Sequence, residues 1–135
     1  MAERTFAIIK PDAVAAGNAD KIMDMIKDNG FTIVEKLTIT MPLEDTKKLY
    51  DIHKERPFFG EMLEFITSGP VVIMALEKDN AIKAWRDLMG ATNPADAAQG
   101  TVRKLFGIDI GTNAAHGSDS ADNAKAELAI FFSNL

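Results

Sequence analysis

Two segments of this chain are apolar almost without interruption: Thr5-Phe6-Ala7-Ile8-Ile9 and Val71-Val72-Ile73-Met74-Ala75-Leu76. A strand with one wet face alternates apolar and polar residues, whereas a short run without polar positions is covered on both faces. Both segments are far too short to cross a bilayer, so they read as central strands of a sheet with helices on either side. Lys10-Pro11-Asp12 closes the first run, because Pro11 lacks the N–H that a strand ladder needs.

Around these strands the period changes. Asp20 is placed to cap a helix in which Ile22, Met25 and Ile26 share a face, with Gly30 as its stop. Phe31 to Thr40 alternates, with Phe31, Ile33, Leu37 and Ile39 on one side, which predicts a half-exposed strand. Pro42 suits the first turn of a helix through Leu49, Tyr50 and Ile52. Pro57 to Gly60 breaks that helix, and Glu61 to Thr67 predicts another. Asp79 is expected to cap a helix with Ile82, Trp85 and Leu88 inward and Gly90 at its end. Ala91 to Gly100 reads as a loop, and Ser120 as the cap of a last helix running into Leu128 to Phe132. The order strand, helix, strand, helical insert, strand, helix, loop, strand predicts an α/β fold. It is a ferredoxin-like sandwich, with a four-stranded antiparallel sheet flanked by helices, in a single domain over residues 1–135.

Composition narrows the function. The net charge of −5 argues against a nucleic-acid surface, which needs a basic excess. The chain has no cysteine, hence no disulfide and no thiolate metal site. Neither a signal-peptide core nor a membrane span is recognisable, and a cytoplasmic protein is expected.

The chemistry concentrates in Asn113-Ala114-Ala115-His116-Gly117-Ser118-Asp119-Ser120. Imidazole can act as a neutral nucleophile near pH 7 and carry a transferred group. Gly117 beside it is expected to leave room for a substrate. Neither G-x-G nor G-x-x-x-x-G-K-[ST] occurs, so any phosphate must be held by side chains. The cations at hand are Lys10 after the first strand, Arg86 beside Trp85, and Arg103 after Gly100-Thr101. Of the pair Phe58-Phe59, one ring can serve the core and the other can stack on a ligand. Tyr50 is the only tyrosine, and His53 reads as exposed and structural. Two histidines without matched carboxylates do not make a metal site.

These segments together resemble the nucleoside diphosphate kinase family. The likeness runs through Arg4 to Asp12, Arg56-Pro57-Phe58-Phe59, Thr67 to Val72, Trp85 to Pro94, Gly100-Thr101-Val102-Arg103 and Asn113 to Ser120. It implies ping-pong transfer of a γ-phosphoryl group from a nucleoside triphosphate to a nucleoside diphosphate, through a phosphohistidine on Nδ1 of His116. It also implies that Glu127 accepts the other ring N–H, and that Ser118 offers a hydroxyl beside the ring. Lys10, Tyr50, Arg86, Thr92 and Arg103 match phosphate contacts, and Lys10 and Asn113 match contacts to the ribose hydroxyls. Phe58 and Ile110 match the residues on either side of the base, and Mg2+ arrives on the nucleotide phosphates. The family assembles as homo-oligomers, and a tetramer built from dimers is favoured over a hexamer. Gln99 stands where many members have proline before Gly100-Thr101, and Asp20 where many have glycine. A binding protein that keeps the fold without the activity need not retain His116, Lys10, Arg86, Arg103 and Glu127 together. A phosphocarrier passing its phosphate to another protein would have no use for Phe58 and Asn113.

Overall fold

The protein is described by a computed structural model over residues 2–49, 55, 57, 59–109 and 113–132. Strand β1 (Ala2–Ile9) pairs antiparallel with β3 (Val71–Asp79), from Ala2 opposite Asp79 to Ile9 opposite Val72. Both strands outrun their apolar cores. Two of the added pairs are oppositely charged, Glu3 opposite Lys78 and Arg4 opposite Glu77, and Nε of Arg4 donates to Oε2 of Glu77 at 2.8 Å. Opposite charges across a ladder favour pairing where there is no core to bury.

β2 (Thr32–Ile39) flanks β3 at one edge and β4 (Ala115–Gly117) flanks β1 at the other, giving the order β2-β3-β1-β4. This is the expected ferredoxin-like sandwich, with both uninterrupted apolar strands central. On one face, Ala7, Ile9, Met74 and Leu76 pack with Ile22 and Ile26 of α2 (Ala19–Asp28) and Trp85 and Met89 of α5 (Ala81–Met89). On the other, Phe6, Ile8, Ile73 and Ala75 pack with Leu49 of α3 (Leu43–Leu49), Leu63 and Ile66 of α4 (Phe59–Ile66), and Phe132. Phe132 ends α7 (Ala121–Phe131). Each large apolar side chain buried this way contributes about 1.5–3 kcal/mol.

Several local expectations are corrected. β2 does not keep one apolar face, because a bulge between Ile33 and Glu35 shifts its register. Ile33 therefore packs with the α2 and α5 core while Val34 and Ile39 pack with the other, and Leu37 is 45% exposed. Asp20 lies inside the first turn of α2, whose N-cap is Asn18. Asp79 ends β3, and the N-cap of α5 is Asn80. The N–H of Ile82 finds its acceptor on β1, in Oε1 of Glu3 at 3.0 Å. The fully buried residues of α5 are Ala81, Trp85 and Met89; of the expected Ile82, Trp85 and Leu88, Trp85 is one of these and Leu88 packs partly buried against the same core. α4 starts at Phe59, two residues before the expected Glu61. Two short helices were not expected: α1 (Pro11–Ala15), which Pro11 opens, and α6 (Val102–Phe106), capped by Thr101. The loop after α5 contains one 3-10 turn, Pro94–Asp96. Among the described residues no helix is long and apolar enough to cross a membrane.

Candidate active site

β4 is held at the edge of the sheet, with His116 opposite Ile8 and Gly117 opposite Ala7. Alternation sends these two side chains to opposite faces. His116 therefore shares a face with Phe6, whose ring meets the imidazole edge-on at 6.3 Å between centroids. On that face α7 delivers Glu127. Ser120 caps the helix by accepting from the N–H of Asn123 at 3.1 Å, as the sequence predicts, and Ala124 and Glu127 face inward. Oε1 of Glu127 lies 2.8 Å from Nε2 of His116, and both side chains are largely screened from solvent. With the Nε2 proton held by the carboxylate, the lone pair of the neutral ring sits on Nδ1.

Gly117 faces the other way. A Cβ there would lie 2.5 Å from Cδ1 of Trp85 and 2.7 Å from Cε of Met89. The space is filled by the indole, which also donates from Nε1 to the carbonyl of His116 at 3.1 Å. The expected role of Gly117 is thus corrected: it makes room for the core, not for a substrate.

The backbone before His116 is held in a sparsely populated conformation. Ala114 has φ +76°, and the N–H of Ala115 bonds the carbonyl of Asn113 at 3.0 Å, closing a three-residue turn. A non-glycine residue there costs about 1–3 kcal/mol and persists only if its surroundings enforce it. The enforcing groups lie at the end of β1. The N–H of Lys10 donates to the carbonyl of Ala114 at 2.8 Å, and Oδ2 of Asp12 accepts from the N–H of Ala114 at 3.1 Å.

The cations converge on the same corner. Nζ of Lys10 donates to Oδ1 of Asn113 at 2.9 Å, and Nδ2 of Asn113 donates to the carbonyl of Thr92 at 3.0 Å. Arg103 on α6 spans two elements, with Nη1 on the carbonyl of Gly90 at 3.0 Å and Nη2 on that of Ala115 at 2.9 Å. Its Nε is buried without a partner among the described residues. Gly90 has φ +85° and would bring a Cβ within 2.6 Å of Oγ1 of Thr101, so the end of α5 and the start of α6 touch directly. Burial, and then the charge of Arg103, lower the pKa of Lys10 to about 8, while Asp12 works the other way. Burial, and then Arg86, lower that of Arg103 to about 10. Asp12 is itself raised, mainly by burial. Lys10 and Arg103, like charges partly stripped of water and bonded to the turn that precedes His116, form a corner suited to an anion.

The structure therefore brings together His116, Glu127, Lys10, Arg103, Asn113 and the backbone of Thr92. Arg86 is exposed on α5, close enough for its charge to act on Arg103. The Thr92 side chain is exposed, and the Ser118 hydroxyl is buried with no partner among the described residues. Tyr50, His53, Phe58 and Ile110 lie outside the described residues. Asp12 and Trp85 do more for the site than their sequence positions suggest. The sign for Asp12 is an acidic residue in the first turn after a helix-opening proline; nothing in the sequence marks Trp85 beyond its size.

Over nearly its whole length the chain is similar to known proteins of one family. The family model for nucleoside diphosphate kinase matches residues 3–135. A nucleoside diphosphate kinase of Phenylobacterium zucineum is 53% identical over 132 residues, covering 98% of this chain and 95% of its own. One from Campylobacter fetus is 54% identical over 130 residues, covering 96% of this chain and 95% of its own. Among solved structures, Aquifex aeolicus nucleoside diphosphate kinase superposes with a TM-score of 0.95 at 41% identity, covering 98% of this chain and 96% of that one. The Encephalitozoon cuniculi enzyme superposes at 0.93 with 34% identity, covering 96% and 88%. With the family model matching nearly the whole chain and relatives more than half identical to it, the chain belongs to the nucleoside diphosphate kinase family.

Proposed function

We propose that His116 carries the phosphoryl group in the reaction of this family, the transfer of a γ-phosphoryl group from a nucleoside triphosphate to a nucleoside diphosphate. The observation that carries the assignment is the 2.8 Å contact between Nε2 of His116 and Oε1 of Glu127, which leaves Nδ1 as the nucleophilic atom. In the first half-reaction the Nδ1–P bond forms as the P–O bond to the departing diphosphate breaks. The ring becomes cationic as it is phosphorylated, and the Glu127 carboxylate offsets that charge through the N–H it already holds. In the second half-reaction a terminal oxygen of another nucleoside diphosphate takes the phosphoryl group, and the ring returns to its neutral form.

Phosphoryl transfer demands positioning and charge neutralisation more than covalent machinery. Lys10, Arg86 and Arg103 supply the positive charge, with Thr92 and Tyr50 as further phosphate contacts and Ser118 as the hydroxyl beside the ring. Lys10 and Asn113 contact the ribose. Phe58 and Ile110 hold the base by stacking and apolar contact, which tolerates every base. Mg2+ would enter with the nucleotide and would help neutralise the charge of its phosphates. Among the described residues no group of three or more His, Cys, Asp or Glu side chains could hold a metal ion, which suits a metal that arrives on the phosphates.

The same reading extends to the whole protein. Residues 1–135 act as one domain, in the cytoplasm, as a homo-oligomer: a tetramer or a hexamer, with the tetramer favoured. Leu37 on the edge strand β2, with Leu105 and Ile108, exposes apolar surface that further copies of the chain would cover.

Steady-state kinetics tests the mechanism. Initial rates with ATP and a second diphosphate should give parallel double-reciprocal lines, the signature of a covalent intermediate. His116→Ala should lose several orders of magnitude in rate and keep its nucleotide affinity. Intersecting lines, or a His116→Ala rate within tenfold of wild type, would sink the assignment.

A further inference from the structure

The turn that presents His116 is held in an unusual way. Ala114, at φ +76°, has both of its peptide groups fixed by the corner that joins β1 to α1. The backbone N–H of Lys10 takes its carbonyl, and the carboxylate of Asp12 takes its N–H. The first bond belongs to the main chain and survives any side-chain change. The second depends on one side chain. We propose that Asp12 is a positioning residue for phosphoryl transfer, its Oδ2 pinning the strained turn at Ala114 and thereby setting the aim of the His116 ring. The inference rests on His116 being the phosphoryl carrier.

Three observations support the assignment. Asp12 is partly buried, and its pKa is raised chiefly by that burial, so it holds its place at an energetic cost that a surface cap would not incur. Its other oxygen, Oδ1, is buried without a hydrogen-bond partner among the described residues, and outside its own helix turn the carboxylate accepts from the N–H of Ala114. Its charge also opposes the loss of the Lys10 proton, so one group serves both the turn and the phosphate-binding ammonium. Without the carboxylate, the main-chain bond from Lys10 is left to hold Ala114 against the gain alanine makes by leaving the left-handed region. His116 lies two residues on, joined to the sheet through only three paired positions, and would follow the turn. Misplacement of a nucleophile by about 1 Å costs on the order of a hundredfold in rate.

The test separates aim from binding. In wild type, Asp12→Ala, Asp12→Asn and Asp12→Ala/Ala114→Gly, one measures the single-turnover rate of protein phosphorylation by saturating ATP, and ADP affinity by calorimetry. Asp12→Ala should phosphorylate on the order of 10- to 100-fold more slowly, a larger loss than that of ADP affinity, which falls only through the charge lost beside Lys10 and falls equally in Asp12→Asn. Asp12→Asn keeps an oxygen acceptor for the Ala114 N–H and should recover most of the rate. The double variant should also recover, because glycine adopts φ +76° without strain. An unaltered rate in Asp12→Ala overturns the proposal, as does a loss that neither Asn nor Gly recovers. If Asp12→Ala does not fold, Asp12→Asn decides: a near-normal rate supports the proposal and a loss beyond tenfold overturns it. A phosphate label that persists in His116→Ala overturns the proposal together with the reading beneath it. An unlabelled His116→Ala beside an unaffected Asp12→Ala overturns the proposal alone.

Discussion

Nε2 of His116 and Oε1 of Glu127 stand 2.8 Å apart, across the gap between an edge strand and the helix that covers it. The contact fixes the tautomer and the plane of the ring at once. Removing an orienting partner of this kind leaves the nucleophile chemically intact and geometrically loose. Glu127→Ala should therefore slow phosphorylation of His116 by roughly 10- to 1,000-fold, since the ring then samples the wrong tautomer and the wrong plane. ADP affinity should move by less than threefold. Rapid-quench measurement of the phosphorylation rate beside calorimetric ADP binding checks both halves, and equal losses in the two would deny the orienting role.

A methyl group on Gly117 has nowhere to go, because Trp85 is wholly buried and its Cδ1 would stand 2.5 Å from the new carbon. Overpacking a rigid aromatic core costs about 1–3 kcal/mol. Gly117→Ala should lower the midpoint of thermal unfolding by roughly 5–10 °C. It should also lower activity, because the displaced indole holds the carbonyl of His116 itself. Thermal unfolding followed by Trp85 fluorescence reads the first effect, and an unchanged midpoint would contradict the packing described.

Arg103 reaches the carbonyls of Gly90 and Ala115 with the two arms of one guanidinium. A lysine cannot reproduce that fork, so Arg103→Lys keeps the charge and loses the geometry. The turnover number should fall on the order of 10- to 1,000-fold, by more than diphosphate affinity falls. A rise in KM alone would make Arg103 a uniform binder of ground and transition states.

Lys10 has its pKa lowered to about 8 by burial and by Arg103. As pH rises through that value the free protein loses the ammonium. A bound polyphosphate favours the charged form, so nucleotide binding between pH 8 and 9.5 should take up a proton. Affinity should fall there by up to about tenfold per pH unit. Lys10→Ala should bind more weakly at pH 7 and show no such slope. Calorimetry in buffers of different ionisation enthalpy counts the proton directly, and a wild-type affinity flat to pH 9.5 would contradict the assignment.

How much of this was legible in the sequence depended on the range of the interaction. Thr5–Ile9 and Val71–Leu76 read as central strands and are central in the sheet, while which edge strand flanks which was not written in either run. Ser120 read correctly as a cap because its acceptor and its donor lie three residues apart. Asp20 and Asp79 did not, because α2 begins after Asn18 and α5 after Asn80, and the N–H of Ile82 is met by Glu3 from across the sheet. The bulge in β2 moved Ile33 and Ile39 to different cores, which strict alternation cannot show. At the site, His116 and the cations were visible as residue types and motifs. The Ala114 turn was not, since alanine carries no signal for positive φ and the groups enforcing it come from Lys10 and Asp12, a hundred residues away in the chain.

The central claim is that phosphate passes through His116. Incubation of the protein with ATP labelled in the γ-phosphate, followed by removal of nucleotide and addition of GDP, tests it most directly. The account predicts a protein-bound label that is stable to base and labile to acid. The label should be absent in His116→Ala and should appear as labelled GTP when GDP is added to the wild type. A label stable to acid, a label retained by His116→Ala, or transfer to GDP without any labelled protein intermediate would contradict it.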